Sequence, residues 1–399
     1  MTRGASLALV ALLVFTMGTS IITPLLPLYQ GTYGLSNGVL MLLFATYTAT
    51  VVPTMLIAGN ASDRLGRKRL AIPAMLVMTA ASLVFSFTDS VPLLFAGRVL
   101  QGLAIGMYLG VGTAFIIDHG RPGAKALVAM TAGAAFRLGF GLGPLLGGIV
   151  AQYWGNPLHR PFQLHVLLMV LGLACVLIAR ETVPRRPYRF EMRVGIPRGQ
   201  GIGFAGFLGP AAFTMSFMEG TVLSLVPLFL YNTLGATNVA IAGLCGFLVL
   251  GLGGMTPIVT RNVEPRKAMM IGVVVSAVVT WLIAGAAFAG SAVLVVVAAG
   301  IMGFVNGMIL QGGTVICGTI VPLEERGKLM SALYMCAYAG TVPTVGLGYL
   351  SQIIGLTNTL IVFSCLACAM AAWLVVFGRR LFPRVIPYVE PVTIGSRTV

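Results

Sequence analysis

Apolar runs long enough to cross a lipid bilayer recur along the whole chain, and they leave room for few folds. They lie near residues 6–29, 38–59, 70–88, 91–117, 126–154 and 161–179, then near 201–231, 238–260, 268–288, 291–320, 329–353 and 357–378. A helix rising 1.5 Å per residue needs about 20 residues to span about 30 Å of hydrocarbon, so each run suffices. Inside hydrocarbon every backbone N–H and C=O must be satisfied within the protein, which favours helices. The uncharged stretches 268–323 and 329–378 are too long for one crossing, and turns are expected at "AFAGSAVL" and "IIGLTN". With 58% hydrophobic residues and 51 glycines in 399, the chain lacks the polar groups a water-soluble surface needs. The expected fold is an all-α membrane protein of twelve transmembrane helices in two pseudo-symmetric six-helix bundles.

Charge placement sets the topology. A net charge of +15 could suit a nucleic-acid partner, but Lys and Arg gather at segment ends and tails, with no basic patch on a soluble domain. The connections "QGTYGLSN" (30–37) and "YNTLGATN" (231–238) contain neither base. The alternate connections carry Arg64, Arg67, Lys68, Arg69, Arg121, Lys125, Arg185, Arg186, Arg189, Arg261, Arg266, Lys267, Arg326 and Lys328. The basic side is expected to stay cytoplasmic, with both termini on the cytoplasmic side of the cell (inner) membrane and Arg160 the one base in an external loop. The first segment lacks a small-residue cleavage site and reads as a retained helix. The basic, proline-containing stretch near 181–200 reads as a linker between bundles 1–180 and 201–378, with a cytoplasmic tail at 379–399.

Cofactor and enzyme signals are missing. All six cysteines lie inside apolar runs, His119, His159 and His165 are scattered, and HExxH, GxSxG and phosphate-cradling Gly-Lys patterns do not occur. Neither a metal nor a cofactor is expected, and the chain reads as a transporter rather than an enzyme or receptor.

The two halves resemble each other. "GLAIGMYLGVGTAF" (102–115) aligns with "GFVNGMILQGGTVI" (303–316); Pro27 pairs with Pro227, Arg67-Lys68 with Arg266-Lys267, and Pro144 with Pro343, all at displacements of 199 to 201 residues. A six-helix repeat joined by a cytoplasmic linker suits a carrier that rocks about a central site.

The most charged stretch is "GNASDRLGRKRL" (59–70). Its Gly59, Asp63, Arg64, Gly66, Arg67 and Lys68 resemble the loop motif between the second and third helices of the major facilitator superfamily, departing from it at Ala61 and Leu70. The resemblance implies that Asp63 caps the start of the eleventh helix while Arg67 pairs with Asp118, a clasp that holds the outward-open form. Asn262 replaces the acid in the second half. "MGTSIITPLLP" (17–27), "RVLQG" (98–102) and "GFGLGPLLGG" (139–148) resemble the first-, fourth- and fifth-helix signatures of the twelve-span drug:proton antiporters. On the residues alone, Gly139, Gly143 and Gly147 line one face of a helix beside Pro144 and Gly148, a close-packed and pliable seam expected to take part in rocking. Gly102, Gly106 and Gly110 form a similar face.

Charges within spans carry the functional reading. Arg98, Arg137 and Glu219 sit deep in apolar segments, where a charge costs about 2.5–3.5 kcal/mol, so they are expected to face an internal cavity. Glu219 is the sole deep acid; desolvation favours the neutral form of a buried carboxyl, which suits proton exchange, while a nearby arginine opposes it. The resemblance links Arg98 to proton coupling, and Arg137 is a candidate for an anionic group. Gln101, Tyr108, Met215, Met218, Asn306, Gln311, Tyr334 and Tyr338 are candidates for the remaining wall. The expected function is proton-coupled export of amphipathic drugs or natural products by a monomer in the lipid bilayer, with small molecules and protons as partners. A carrier of an anionic metabolite, clamped between Arg98 and Arg137, is the alternative.

Overall fold

The computed structural model describes residues 1–58, 64–185, 187, 195–260 and 262–381, and all its regular elements are helices. In the first half these are α1 (Arg3–Tyr33), α2 (Asn37–Ala58), α3 (Arg67–Phe87), α4 (Val91–Asp118), α5 (Lys125–Tyr153) and α6 (Arg160–Ile178). The second half has α7 (Gly201–Asn232), α8 (Val239–Gly254), α9 (Pro265–Ala289), α10 (Ala292–Thr319), α11 (Leu323–Ala339), α12 (Pro343–Ile354) and α13 (Leu356–Leu381). Ten helices among the described residues are long and apolar enough to cross a membrane. Both expected turns are present, at Gly290 (φ 59°) and Gly355 (φ 81°), where the left-handed backbone favours a residue without Cβ.

Two expected spans are interrupted rather than continuous. The run 238–260 tightens from α8 into a 3₁₀ turn at Leu252–Gly254 and resumes as a short helix at Thr256–Val259. Three glycines and Pro257 in nine residues explain it, since glycine is a poor helix former and proline lacks the N–H that an uninterrupted ladder needs. The run 329–353 is divided into α11 and α12 around Gly340, with Pro343 opening the second piece. A Cβ on Gly340 would collide with the Phe213 carbonyl, so α7 and α11 touch through backbone at the break.

Glycine sets the helix spacing throughout. Lipid tails are as apolar as leucine, so association inside the bilayer relies on close packing. On α5, Cβ atoms at Gly139, Gly143 and Gly147 would strike the carbonyls of Leu13, Met17 and Ile21 on α1. On α4, Gly102 and Gly106 press on the backbone of α2, while Gly110 faces open space. The glycines of α5 therefore divide between two faces. Gly139, Gly143 and Gly147 pack within the first half, whereas Gly141, Pro144 and Gly148 meet Gly251, Gly243 and Val239 of α8 across the halves.

Packing between the halves is concentrated at the end carrying the loops without Lys or Arg, called here the neutral end. Ile21, Leu25, Tyr29, Leu40 and Phe44 share one continuous apolar core with α7, α8 and α10, while much of the rest of the first half forms a separate core from Ala5 to Ala179. Gly38 lies against Tyr349 and Gly348 against Met41, drawing α2 and α12 together there.

Overpacking α1 against α5 should be costly, and filling open space should not. Gly143→Leu is expected to lose about 1–3 kcal/mol or more, seen as a lower melting temperature of the purified protein, whereas Gly110→Leu should melt with the unaltered chain.

Candidate functional site

A cavity of about 140 Å³ lies between the two halves. Thr19, Ser20 and Thr23 come from α1, Phe44 and Tyr47 from α2, and Phe136, Arg137 and Phe140 from α5. The second half contributes Met215, Ser216, Glu219, Gly220 and Leu223 from α7, Leu250 from α8, Leu310 from α10, Tyr334, Ala337 and Tyr338 from α11, and Thr341 beyond it. The charged side chains among the lining residues are Arg137 and Glu219, one from each half. Arg137 Nη2 lies 3.8 Å from Glu219 Oε1, with the side chains 12% and 14% exposed. That separation is an ion pair without a hydrogen bond.

The guanidinium is held in an unsatisfied state. Arg137 Nε and Nη2 are buried with no hydrogen-bond acceptor among the described residues. The group lies along α8 at the 3₁₀ turn, where Gly253 has no side chain; a Cβ there would collide with Nε. The break in α8 thus makes room for Arg137, which reaches across the halves.

Arg98 occupies a different setting. It is fully buried, and its guanidinium donates from Nε to Leu43 O (3.1 Å), from Nη1 to Thr19 O (2.9 Å) and Gln101 Oε1 (2.7 Å), and from Nη2 to Phe44 O (2.8 Å). Gln101 Nε2 in turn donates to Gly18 O at 2.8 Å. These bonds staple α4 to α1 and α2. The Tyr47 ring, whose centroid is 4.3 Å from Arg98 Cζ, stands between the arginine and the cavity. Among the described residues no carboxylate pairs with Arg98, and the anticipated clamp of two arginines does not form.

Of the expected wall, Arg137, Met215, Tyr334 and Tyr338 line the cavity together with Glu219. The other candidates are used up elsewhere. Gln101 belongs to the Arg98 staple, Tyr108 packs against Phe15 with tilted rings 4.1 Å apart, Met218 is buried in the core, Asn306 accepts from Ser276 Oγ at 2.9 Å, and Gln311 accepts from Thr260 Oγ1 at 3.0 Å. Sequence reasoning missed Phe44, Tyr47, Phe136 and Phe140. Their signal was position: Phe44 and Tyr47 are one turn apart on α2, and the two phenylalanines bracket Arg137.

At the basic end Arg67 Nε donates to Asp118 Oδ2 at 2.8 Å, forming the expected charge pair. Gly59 and Asp63 lie outside the described residues. Gly66 (φ 110°) precedes α3 without a side chain to cap it, and Lys68 Nζ donates to Leu177 O at 2.8 Å. Glu181, which sequence reasoning passed over as linker, performs the capping. It accepts from Arg67 N (2.9 Å), Lys68 N (3.0 Å) and Thr182 N (2.9 Å), placing an anion at the positive helix end. Thr182 Oγ1 joins the cluster at Asp118 Oδ2, 3.2 Å away. Arg64 is half-buried.

A relay of neutral amides ties the halves at the opposite end. Asn232 Nδ2 donates to Gln30 Oε1 (2.7 Å), Gln30 Nε2 to Asn37 Oδ1 (2.6 Å), and Asn37 Nδ2 to Ser351 Oγ (2.9 Å). Beside it Gln152 Oε1 accepts from Val239 N at 3.0 Å, and Asn238 Nδ2 donates to the Tyr153 hydroxyl at 3.2 Å.

The sequence profile of the Major Facilitator Superfamily matches residues 8–342. Multidrug resistance protein 1 of Bacillus subtilis (strain 168) is 27% identical over 64% of this chain and 65% of its own length, just under two thirds of that relative. The class B tetracycline resistance protein of Escherichia coli is 25% identical over 72% of each chain. A POT family transporter crystallised with 5-aminolevulinic acid superimposes with a TM-score of 0.79 over 96% of this chain and 97% of its own, at 12% identity, a likeness of fold alone.

The Arg98 staple predicts that its shape matters as much as its charge. Arg98→Lys keeps the charge yet cannot reach three backbone carbonyls and Gln101 at once, so the purified variant should melt lower by about 1–3 kcal/mol of lost stability. An unchanged melting curve would show that the staple carries no structural weight.

Proposed function

We infer that this chain, which belongs to the Major Facilitator Superfamily, is a secondary active transporter that exports amphipathic drug-like molecules in exchange for protons. The observation carrying this reading is the pairing of one acid and one base, Glu219 and Arg137, from opposite halves in a shared cavity. The relatives named for multidrug and tetracycline resistance support the export direction and the substrate class.

The proposed carrier is a monomer of two bundles, 1–180 and 201–378, linked by 181–200 and rocking about the cavity. Its basic end faces the cytoplasm of the cell (inner) membrane, with both termini there. The amide relay then lies outside, so the neutral end is the closed one and access is from within. The α5–α8 contact, built from Gly141, Pro144, Gly148 and Gly243, supplies a seam on which backbones can shift. The Arg67–Asp118–Glu181 cluster steadies the cytoplasmic start of α3 on the first bundle.

Alternating access follows from the size and charge of the site. Drug-sized ligands fill pockets of about 300–1,000 Å³, several times the present cavity, so loading requires the halves to part. An outward-open carrier takes a proton on Glu219, which removes the counter-charge from Arg137. The bundles then rock, the proton leaves to the cytoplasm, and the ionised carboxylate is ready for the next substrate. Aromatic walls at Phe44, Tyr47, Phe136, Phe140, Tyr334 and Tyr338 accept apolar bodies of varied shape.

Two measurements test this reading. Cells expressing the chain should accumulate less of a fluorescent amphipath than control cells, and a protonophore should remove the difference. In proteoliposomes Glu219→Gln should lose proton-driven flux while keeping its fold; flux that survives this change, or an accumulation indifferent to expression, would defeat the proposal.

A further inference from the structure

The charge around the cavity selects among amphipathic molecules. We propose that the transported molecules are zwitterions, aromatic compounds whose carboxylate docks on Arg137 and whose cationic nitrogen docks on Glu219. The inference rests on the export reading above and narrows its substrate class.

Three buried charges act on the site. Arg137 and Glu219 face it directly, and Arg98 stands behind Tyr47 with backbone carbonyls and Gln101 as its partners. With Glu219 ionised the surroundings are therefore net positive. A ligand bearing only a positive charge would have to push Arg137 off Glu219 and then sit beside that displaced arginine and near Arg98. Desolvated like charges repel strongly, so such a ligand is disfavoured.

A ligand bearing only a negative charge meets a different obstacle. It competes with Glu219 for Arg137, and two ionised carboxylates on one buried guanidinium repel each other. The conflict ends when Glu219 takes a proton, so the anion and the proton would bind together. Groups that bind together travel together, which is the reverse of exchange.

A zwitterion satisfies both ends without adding net charge. Its carboxylate gives acceptors to Arg137 Nε and Nη2, which have none among the described residues, when the guanidinium turns away from Gly253. Its cationic nitrogen takes the place beside Glu219 that Arg137 leaves. When a proton reaches Glu219 the nitrogen loses its counter-ion and departs, so proton and substrate occupy the same carboxylate in turn. The other titratable groups facing Glu219 are the hydroxyls of Tyr47 on α2 and of Tyr334 and Tyr338 on α11, which are neutral donors to either form. Each turnover moves one proton inward against one neutral molecule outward, so an inside-negative potential also drives it.

One dye skeleton in three charge states provides the test. Proteoliposomes with a proton gradient are offered rhodamine B, which is a zwitterion, its ethyl ester, which is a cation, and fluorescein, an anion. The unaltered chain should move rhodamine B at least about tenfold faster than the ester and should not exchange fluorescein for protons. Arg137→Ala should reverse the order, because losing the arginine removes the net positive charge and leaves Glu219 without a competing partner, so the ester is admitted. Equal transport of ester and zwitterion by the unaltered chain would overturn this inference and leave the export reading intact. Proton-independent movement of all three dyes, or none at all, would instead sink the export reading. The comparison on the unaltered chain decides the charge class even if the variant fails to fold.

Discussion

A charge buried where water cannot follow must be satisfied by the protein itself, and the arrangement of this molecule turns on how three such charges are met. Arg98 is met completely, by backbone carbonyls of α1 and α2 and by Gln101, and it fixes helices of one half to each other. Arg137 and Glu219 are met incompletely, by each other and across the halves. At about 4 Å the Coulomb attraction of an ion pair is about 4 kcal/mol in an effective dielectric of 20, before the cost of desolvating both groups, and a proton on the carboxylate cancels it. The first arrangement gives rigidity. The second gives a contact that can be exchanged.

The rest of the packing divides along the same line. Within the first half, Gly139, Gly143 and Gly147 bring α5 onto the α1 backbone. Between halves, a proline and glycines on α5 meet glycines on α8, where the helix is already broken at Leu252–Gly254. The break places Gly253 where Arg137 needs room, which links the irregular backbone to the charged site. At the neutral end the amides of Gln30, Asn37 and Asn232 bind without net charge, so they can separate without exposing an ion.

Much of this was legible in the sequence because hydrocarbon imposes a coarse code. Most span lengths, both tight turns and the deep acid follow from where charge and glycine fall, and the Arg67–Asp118 pair from the family resemblance of its loop. The cavity wall was less legible, since a span that is apolar all round does not announce which face turns inward. Met215 and Glu219, one turn apart, share the inward face, while Met218 between them enters the core. Gln101, Asn306 and Gln311 looked like cavity polar groups, but in lipid such side chains also serve to bond neighbouring helices, and that is their use here. Glu181 was hidden by its basic neighbourhood; the missing cap at Gly66 was the clue that an acid had to come from elsewhere.

The central claim is that substrate and proton take turns on the Glu219 carboxylate while Arg137 changes partner. Purified protein in lightly buffered solution, titrated with a transported zwitterion across a pH series, tests it most directly through the protons released on binding. The account predicts release from the unaltered chain and none from Glu219→Gln that still binds the ligand. Equal proton release from both would contradict it.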